Sequence, residues 1–471
     1  MEELYSENDP SYSQTRVPSG IAPPTLRDLR RADDLSSYNP ATLRVTHNKN
    51  RDQRYQPYSL HDSRPPREYR PSPDSRQSYD SRAPHDSRPS YDTRSAPPSQ
   101  QQAAYKPKPL DLKPRVDFLK CQKRLLIEEL ASLIRLKDTV IDYDFLCSKA
   151  SVDKVYQLKE RIQCAPKELV SQARSKSNPF ERIGNSIFMN RAAVKLAAID
   201  ADFGLTATKN DEPLKFLDIC GGPGGFSEYL IWRIYSWGQS CQGYGITLKM
   251  PKEKDEMNWH VEKFREDIPK DRLTIIHGQD NTGDIYKLEN IKQVESIIKQ
   301  EAEGVDLAVA DGGFDFSGQE GQQEKVAQKL LLCEVITMLS TLKKGGNFVC
   351  KFFDMLTPFT INLVWLLYQL FDEICIAKPF SSRPANSERY VVCRSLTVAH
   401  PTDLIDKLSS ILTHMDSGSD QQFIPRAILE DDEDFIDYVR MRNFRFITQQ
   451  IESLEEFNMF IQNPYAIESF L

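Results

Sequence analysis

The sequence predicts an α/β fold: a mostly parallel central sheet flanked by helices, preceded by a disordered tail. Three observations carry this. Seventeen of the 29 prolines fall before residue 116 of a 471-residue chain, where no apolar periodicity is sustained. From Lys215 onward, short apolar runs alternate with longer helix-patterned segments, as a parallel sheet with helices on both faces requires. Each polar or glycine-rich motif falls just after one of those runs, where open α/β sheets bind ligands.

The tail comes first. Asp62, Asp74, Asp80, Asp86 and Asp92 each open an Asp-Ser/Thr-Arg triplet in one six-residue phase. Repeats this short, rich in Ser, Arg, Pro and Tyr, cannot enclose a core. Two readings stand: contact with RNA or a disordered partner, tuned by serine phosphorylation, or an entropic spacer. The first 115 residues carry 19 basic and 15 acidic groups.

From Val116 the pattern changes. Phe118, Leu125, Leu126, Leu130, Leu133 and Ile134 recur at helical spacing, and a second amphipathic stretch follows over Val155–Arg174. Strands are expected at Phe216–Cys220, Gly243–Leu248, Leu273–His277, Asp306–Ala310, Asn347–Phe352, Ile374–Pro379 and Tyr390–Leu396. Helices are expected at Phe226–Ser236, Gln323–Leu342 and Pro358–Phe371. The organisation read from this is a tail (1–112), a helical extension (113–184), an α/β core (185–400) and an acidic helical appendage (401–471). That last segment holds 5 basic and 14 acidic residues, including Glu430 to Asp434, and is expected to be solvated rather than to dock a basic partner.

Several classes are excluded. No run reaches the roughly 18 apolar residues of a membrane helix, and the acidic start MEELYSENDP does not match a signal peptide. Nine scattered cysteines without a CxxC pair support neither a zinc knuckle nor a disulfide framework, so no metal site is expected. A reduced, intracellular, soluble protein without membrane association is the expectation.

Five motifs carry chemistry. After the first strand, Asp218-Ile-Cys220-Gly221-Gly222-Pro223-Gly224-Gly225-Phe226 turns tightly into a helix, letting backbone approach a ligand at the helix N-terminus. It is not the G-x-G-x-x-G of a dinucleotide site. Pro223 removes an N–H, and no ribose-binding acid follows the second strand, which runs into Lys249. A hydride-transfer enzyme is disfavoured, and S-adenosylmethionine fits better. After the fourth strand, Asp311-Gly312-Gly313 either caps a turn or overlooks the cleft. Lys351 ends an apolar strand, where burial and nearby cations lower a lysine pKa. Ser381 to Tyr390 form a polar loop, and Lys195 lies on an otherwise apolar helix, where it either reaches the cleft or snorkels. Two lysines and two carboxylates in one crevice can take a proton from an alcohol if one amine is neutral near pH 7.

The segments FMNRAAVKL, DICGGPGGFSEYL, GYGITLK, ADGGFDFSGQE, FVCKFFDMLTPF and KPFSSRPANSERYVV, spread over about 115–400, resemble the FtsJ-like 2′-O-ribose methyltransferases. These are Rossmann-like, S-adenosylmethionine-dependent enzymes, and the resemblance is strongest to the branch acting on the first transcribed nucleotide of m7G-capped mRNA. It implies a catalytic tetrad of Lys195, Asp311, Lys351 and Glu388, with Lys351 as proton acceptor and Glu388 as orienting carboxylate. It implies a methyl-donor site along Cys220 to Phe226, with Asn190, Asp284 and Ile285, Asp218 lying just before the turn. It implies RNA contacts at Asn386, Arg174 and the Gln319–Gln323 loop, through Gln319, Gly321, Gln322 and Gln323. Nuclear residence follows from that task, and transcription or capping machinery is a candidate partner of the tail. No WW-type tryptophan pair follows Trp365, so polymerase contacts through such a module are not expected. Action on ribosomal or transfer RNA, or an RNA-binding scaffold without catalysis, are the alternatives.

Overall fold

The computed structural model describes residues 116–207, 212–314, 321–416 and 418–463. The Asp-Ser-Arg triplets and Gln319 lie outside them. Within the described residues the chain forms β1 (Leu119–Lys120), α1 (Ile127–Leu133), β2 (Lys137–Asp138), α2 (Tyr143–Leu146), α3 (Lys149–Gln163), α4 (Lys167–Ser177) and α5 (Arg191–Phe203). Then come β3 (Leu214–Ile219), α6 (Gly225–Ser236), β4 (Cys241–Ile246), β5 (Leu273–Ile276), α7 (Leu288–Glu301) and β6 (Val305–Ala310). These lead into α8 (Gln323–Thr341), β7 (Leu342–Phe353), α9 (Pro358–Leu370), β8 (Phe371–Ala377) and β9 (Glu388–Leu396). The chain closes with α10 (Thr402–His414), β10 (Gln421–Gln422), α11 (Arg426–Glu430) and α12 (Glu433–Gln462).

Eight strands form one sheet in the order β1-β8-β9-β7-β6-β3-β4-β5. From β7 to β5 every neighbouring pair is parallel. β3 and β6 are adjacent while the chain leaves them in opposite directions, so strand order reverses between them and a crevice opens at their carboxyl ends. Alternation explains how these strands are held. Leu217 and Ile219 of β3, with Ala308 and Ala310 of β6, join the core under α8 and α9. Phe216, Leu307 and Val309 face α5 and α6.

Three features depart from the sequence reading. Phe118 and Leu119 do not continue a helix, because Leu119 pairs antiparallel with Ile374 and covers the free edge of β8. The Val155–Arg174 stretch is two helices, broken where Pro166 stands at the start of α4. The acidic closing segment is not solvated: Phe435, Ile436, Val439 and Phe446 of α12 enter the main core, and Leu404 and Leu408 of α10 join them. Most of its acidic residues stay exposed, whereas Arg442 is buried. β9 runs antiparallel between β7 and β8, a pairing the alternation did not disclose.

Candidate active site

Asp218 is fully buried near the end of β3, where its Oδ2 accepts from the Ser227 amide (3.1 Å) and hydroxyl (2.7 Å). Those bonds tie the strand to the first turn of α6. Its other oxygen, Oδ1, is buried with no hydrogen-bond partner among the described residues, and burial raises the carboxyl to about 7. Between them the chain turns through Cys220 at φ 58° and Gly224 at φ 120°. A methyl group on Gly221, Gly222 or Gly225 would run into Asp218, the Met257 carbonyl or Asn190 respectively, so these glycines are required by close approach. Asn190 caps α5, its Oδ1 accepting from the Ala192 amide at 2.9 Å. Beyond β5, Asp284 accepts from Tyr286 N and Ile285 is buried in the core. The Lys249 amide, past the end of β4, donates to Thr282 O at 2.7 Å. An unsatisfied buried carboxylate oxygen beside a side-chain-free turn is the pattern a polar ligand completes.

The four tetrad residues come from four elements and meet beside that turn. Lys195, on α5, does not snorkel: its Nζ donates to Glu388 Oε2 at 2.6 Å and lies 3.9 Å from Asp311 Oδ2. Asp311 follows β6, and its Oδ1 is 3.0 Å from Lys351 Nζ, which also donates to the Asp311 carbonyl at 2.8 Å. Glu388 opens β9 directly opposite Phe353 of β7 and accepts from Ser382 Oγ at 2.6 Å. All four side chains are at most 16% exposed, so their charges act on one another in a low dielectric.

That mutual action settles the protonation pattern. Burial alone would raise Glu388, but Lys195, Lys351 and Lys378 hold it well below the ordinary carboxylate range. Burial alone would lower Lys351, but Asp311 and then Glu388 outweigh it, and Lys351 is raised. The neutral amine expected from lysine–lysine repulsion is therefore not the resting state. Lys195 is paired with Glu388, and its charge does not bear on Lys351 uncompensated.

Several neighbours went unnoticed in the sequence. Tyr390 donates from its hydroxyl to Asp311 Oδ1 at 2.9 Å. Glu334, alone within the apolar run of α8, accepts from the Gly312 amide (3.2 Å) and the Cys350 thiol (3.3 Å), linking the residues beside Asp311 and Lys351. A lone acid in that run was its available signal. Glu181 grips Arg383 through two bonds and also Arg191, fixing the loop ahead of Asn386 against α5. Lys378 ends the apolar run Ile374–Ala377 just as Lys351 ends its own, the same signal left unused.

Beside the tetrad lies a cleft of about 410 Å³ that brings together Arg174, Gln323 and Asn386, along with Lys159, Gln163 and Arg383, of which Lys159, Gln163 and Arg383 had not been expected as RNA contacts. Gln322 sits at the start of α8 and Gly321 faces Tyr156. A larger cavity of about 1010 Å³ opens at the amino end of the parallel strands. Three of its cations are paired, Arg394 with Glu373, Lys343 with Asp306 and Arg124 with Asp372, and none of the tetrad residues line it.

The family model of FtsJ-like methyltransferases matches residues 188–396, the span from Phe188, two residues before Asn190, to the end of β9. Residues 188–396 are an FtsJ-like methyltransferase domain. The chain is 36% identical over 337 residues to the cap-specific mRNA (nucleoside-2′-O-)-methyltransferase 1 of Dictyostelium discoideum, covering 67% of this chain and 44% of that protein. It is 35% identical over 355 residues to the Homo sapiens protein of the same name, covering 70% and 41%. The chain thus spans about two fifths of the length of these relatives. A solved ribosomal RNA methyltransferase from Plasmodium falciparum, 20% identical, aligns with 44% of this chain and 97% of its own at a TM-score of 0.31, too distant to bear on the assignment. In the FtsJ-like domain all four tetrad residues lie within the matched span, whereas Arg174 and Lys159 precede it.

Proposed function

We propose that the chain transfers a methyl group from S-adenosylmethionine to the ribose 2′-hydroxyl of the first transcribed nucleotide of m7G-capped mRNA, as a step of nuclear mRNA processing. The observation that carries this is the meeting of Lys195, Asp311, Lys351 and Glu388 between the glycine turn and the Arg174–Asn386 cleft. The names of the relatives support the choice of substrate.

S-adenosylmethionine supplies an electrophilic methyl group on a positively charged sulfonium. Asp218, Gly221 to Gly225, Asn190, Asp284 and Ile285 would hold it, and the unpartnered Asp218 Oδ1 is suited to an amino or hydroxyl donor. Lys351 is the proton acceptor for the 2′-hydroxyl once its own proton has left; Asp311 holds its nitrogen in place, and Lys195 and Glu388 fix the opposite wall. Alignment of two bound reactants supplies about 7–11 kcal/mol of the barrier reduction, and proton removal about 10²–10⁴-fold more. In the cleft, Arg174, Lys159 and Arg383 offer N–H donors to phosphates of the capped end.

The test offers the protein matched RNAs carrying an m7G cap or a plain triphosphate, with the modified nucleotide mapped by mass. Methylation of the first nucleotide of the capped RNA alone is expected. Equal methylation of both would overturn cap specificity and leave a 2′-O-methyltransferase of another RNA; absence of methyl transfer to either would leave an RNA-binding scaffold.

A further inference from the structure

Lys378 stands where β8 ends and the loop bearing Asn386 and Glu388 begins. Its ammonium group donates to Asn386 Oδ1 at 2.7 Å, to the Asn386 carbonyl at 2.9 Å and to the Glu388 carbonyl at 2.8 Å. Three hydrogens meet three acceptors, which is all that an ammonium group can give. The Glu388 amide also donates to Asn386 Oδ1, at 3.3 Å. Both acceptor positions of the Asn386 side-chain oxygen are thereby used inside the loop, and that pair of donors fixes which way the amide is turned. Its Nδ2 is on the other branch, bonded to no acceptor among the described residues, and Asn386 lines the cleft with Arg174 and Gln323.

We infer that Lys378 is a positioning residue that makes Asn386 a donor-only contact, so that the group Asn386 meets on the capped RNA is an acceptor oxygen. The inference rests on RNA being the substrate and extends it to a residue outside the tetrad. A loop anchor alone would not need a charge: an apolar side chain would hold the ends of the loop without the cost of burying an ammonium group. What the ammonium adds is direction, because it supplies the shorter of the two bonds, 2.7 Å against 3.3 Å from the Glu388 amide, that keep the Asn386 oxygen inward.

The charge of Lys378 is finely balanced. Burial lowers its pKa to about 7, Glu388 and Asp354 favour the charged form, and Arg389 and Lys195 oppose it. Without its third hydrogen the amine can serve only two of its three acceptors, and the hold on the Asn386 amide weakens to what the Glu388 amide and a shared donor supply.

Steady-state methylation of capped RNA by wild type, Lys378→Met, Lys378→Arg and Asn386→Asp tests this, with donor affinity measured by calorimetry. Lys378→Met is expected to raise KM for RNA by about tenfold, the loss of roughly one well-placed hydrogen bond, with kcat changed less and donor affinity unchanged. Lys378→Arg should recover most of that loss. The wild-type KM should climb as pH rises through about 7 while that of Lys378→Arg stays level, since a guanidinium keeps its charge. Asn386→Asp still accepts from Lys378 but offers no donor, so its KM should rise with the melting temperature unchanged; it decides the matter if Lys378→Met fails to fold. A wild-type KM for RNA in Lys378→Met or in Asn386→Asp would overturn the inference. Failure of the substrate reading shows separately, as equal methylation of capped and uncapped RNA by the wild type, and the KM comparison then runs on either RNA.

Discussion

Lys195 Nζ lies 2.6 Å from Glu388 Oε2, so the second lysine of the site is neutralised by a carboxylate instead of pressing its charge on Lys351. Burial would lower Lys351, but Asp311 and Glu388 prevail and raise it. A base with a raised pKa is mostly protonated at neutral pH and gains activity as it deprotonates. The single-turnover rate at saturating RNA and donor is therefore expected to climb across the neutral and alkaline range, by about tenfold per pH unit. Glu388→Gln, which removes a carboxylate that pairs Lys195 and raises Lys351, should move that climb to lower pH. A wild-type rate level across neutral pH would dissociate Lys351 deprotonation from the rate.

Removing the amine is the sharper intervention. Lys351→Ala should cost about 10²–10⁴-fold in methyl transfer while the donor binds as before, because the donor site is the glycine turn and Asp218, whose hydrogen bonds run to Ser227 and not to Lys351. Calorimetric donor titration beside a turnover assay checks both halves. Turnover near the wild-type rate would withdraw Lys351 as proton acceptor.

Tyr390 is completely buried, and its hydroxyl donates to Asp311 Oδ1 at 2.9 Å. Burial raises its pKa, so the hydroxyl keeps its hydrogen throughout the physiological range. Tyr390→Phe should lower stability by about 1–2 kcal/mol, the loss of a bond to a charged acceptor, and lower kcat as Asp311 gains freedom. Urea unfolding together with kcat is the measurement, and unchanged values of both would show that the bond holds nothing.

Burial alone would raise Glu181, but two bonds from Arg383 and the charge of Arg191 hold it below the ordinary glutamate range. A carboxylate with a depressed folded pKa contributes stability above its unfolded pKa, about 4.3, and loses it as pH falls through the lower folded value. Arg383→Ala should therefore be less stable than wild type at neutral pH, with the gap closing in acid. Urea midpoints at the two conditions decide; a gap of equal size at both would remove Glu181 as its source.

Much of this site was legible locally. Strands β3 to β7 announce themselves because both faces of a parallel sheet are buried, which requires apolar runs such as Leu307–Ala310 and Phe348–Cys350. Asp218, Asp311 and Lys351 stand out because a polar residue next to such a run marks where the strand meets the crevice. The apolar periodicity of 401–471 was legible too, but its acidic count misled. A net charge says how a surface interacts with solvent and partners, and says nothing about the opposite face, which here carries Phe435, Val439 and Phe446 into the core.

What the sequence by itself determined is thus the α/β class, the order of elements and the residue types at strand ends, since burial and turn chemistry act over a few neighbouring residues. Only the tertiary structure decided which strand ends meet. β9 enters antiparallel between β7 and β8, so Glu388 arrives opposite Phe353 and within reach of Lys195, which lies 193 residues earlier. The same pairing closes the loop across Lys378 and raises Lys351 where local reasoning expected it lowered. Alternation of period two reports that a face is buried but not by what. Strand neighbours and the balance of opposing charges are set by contacts between distant segments.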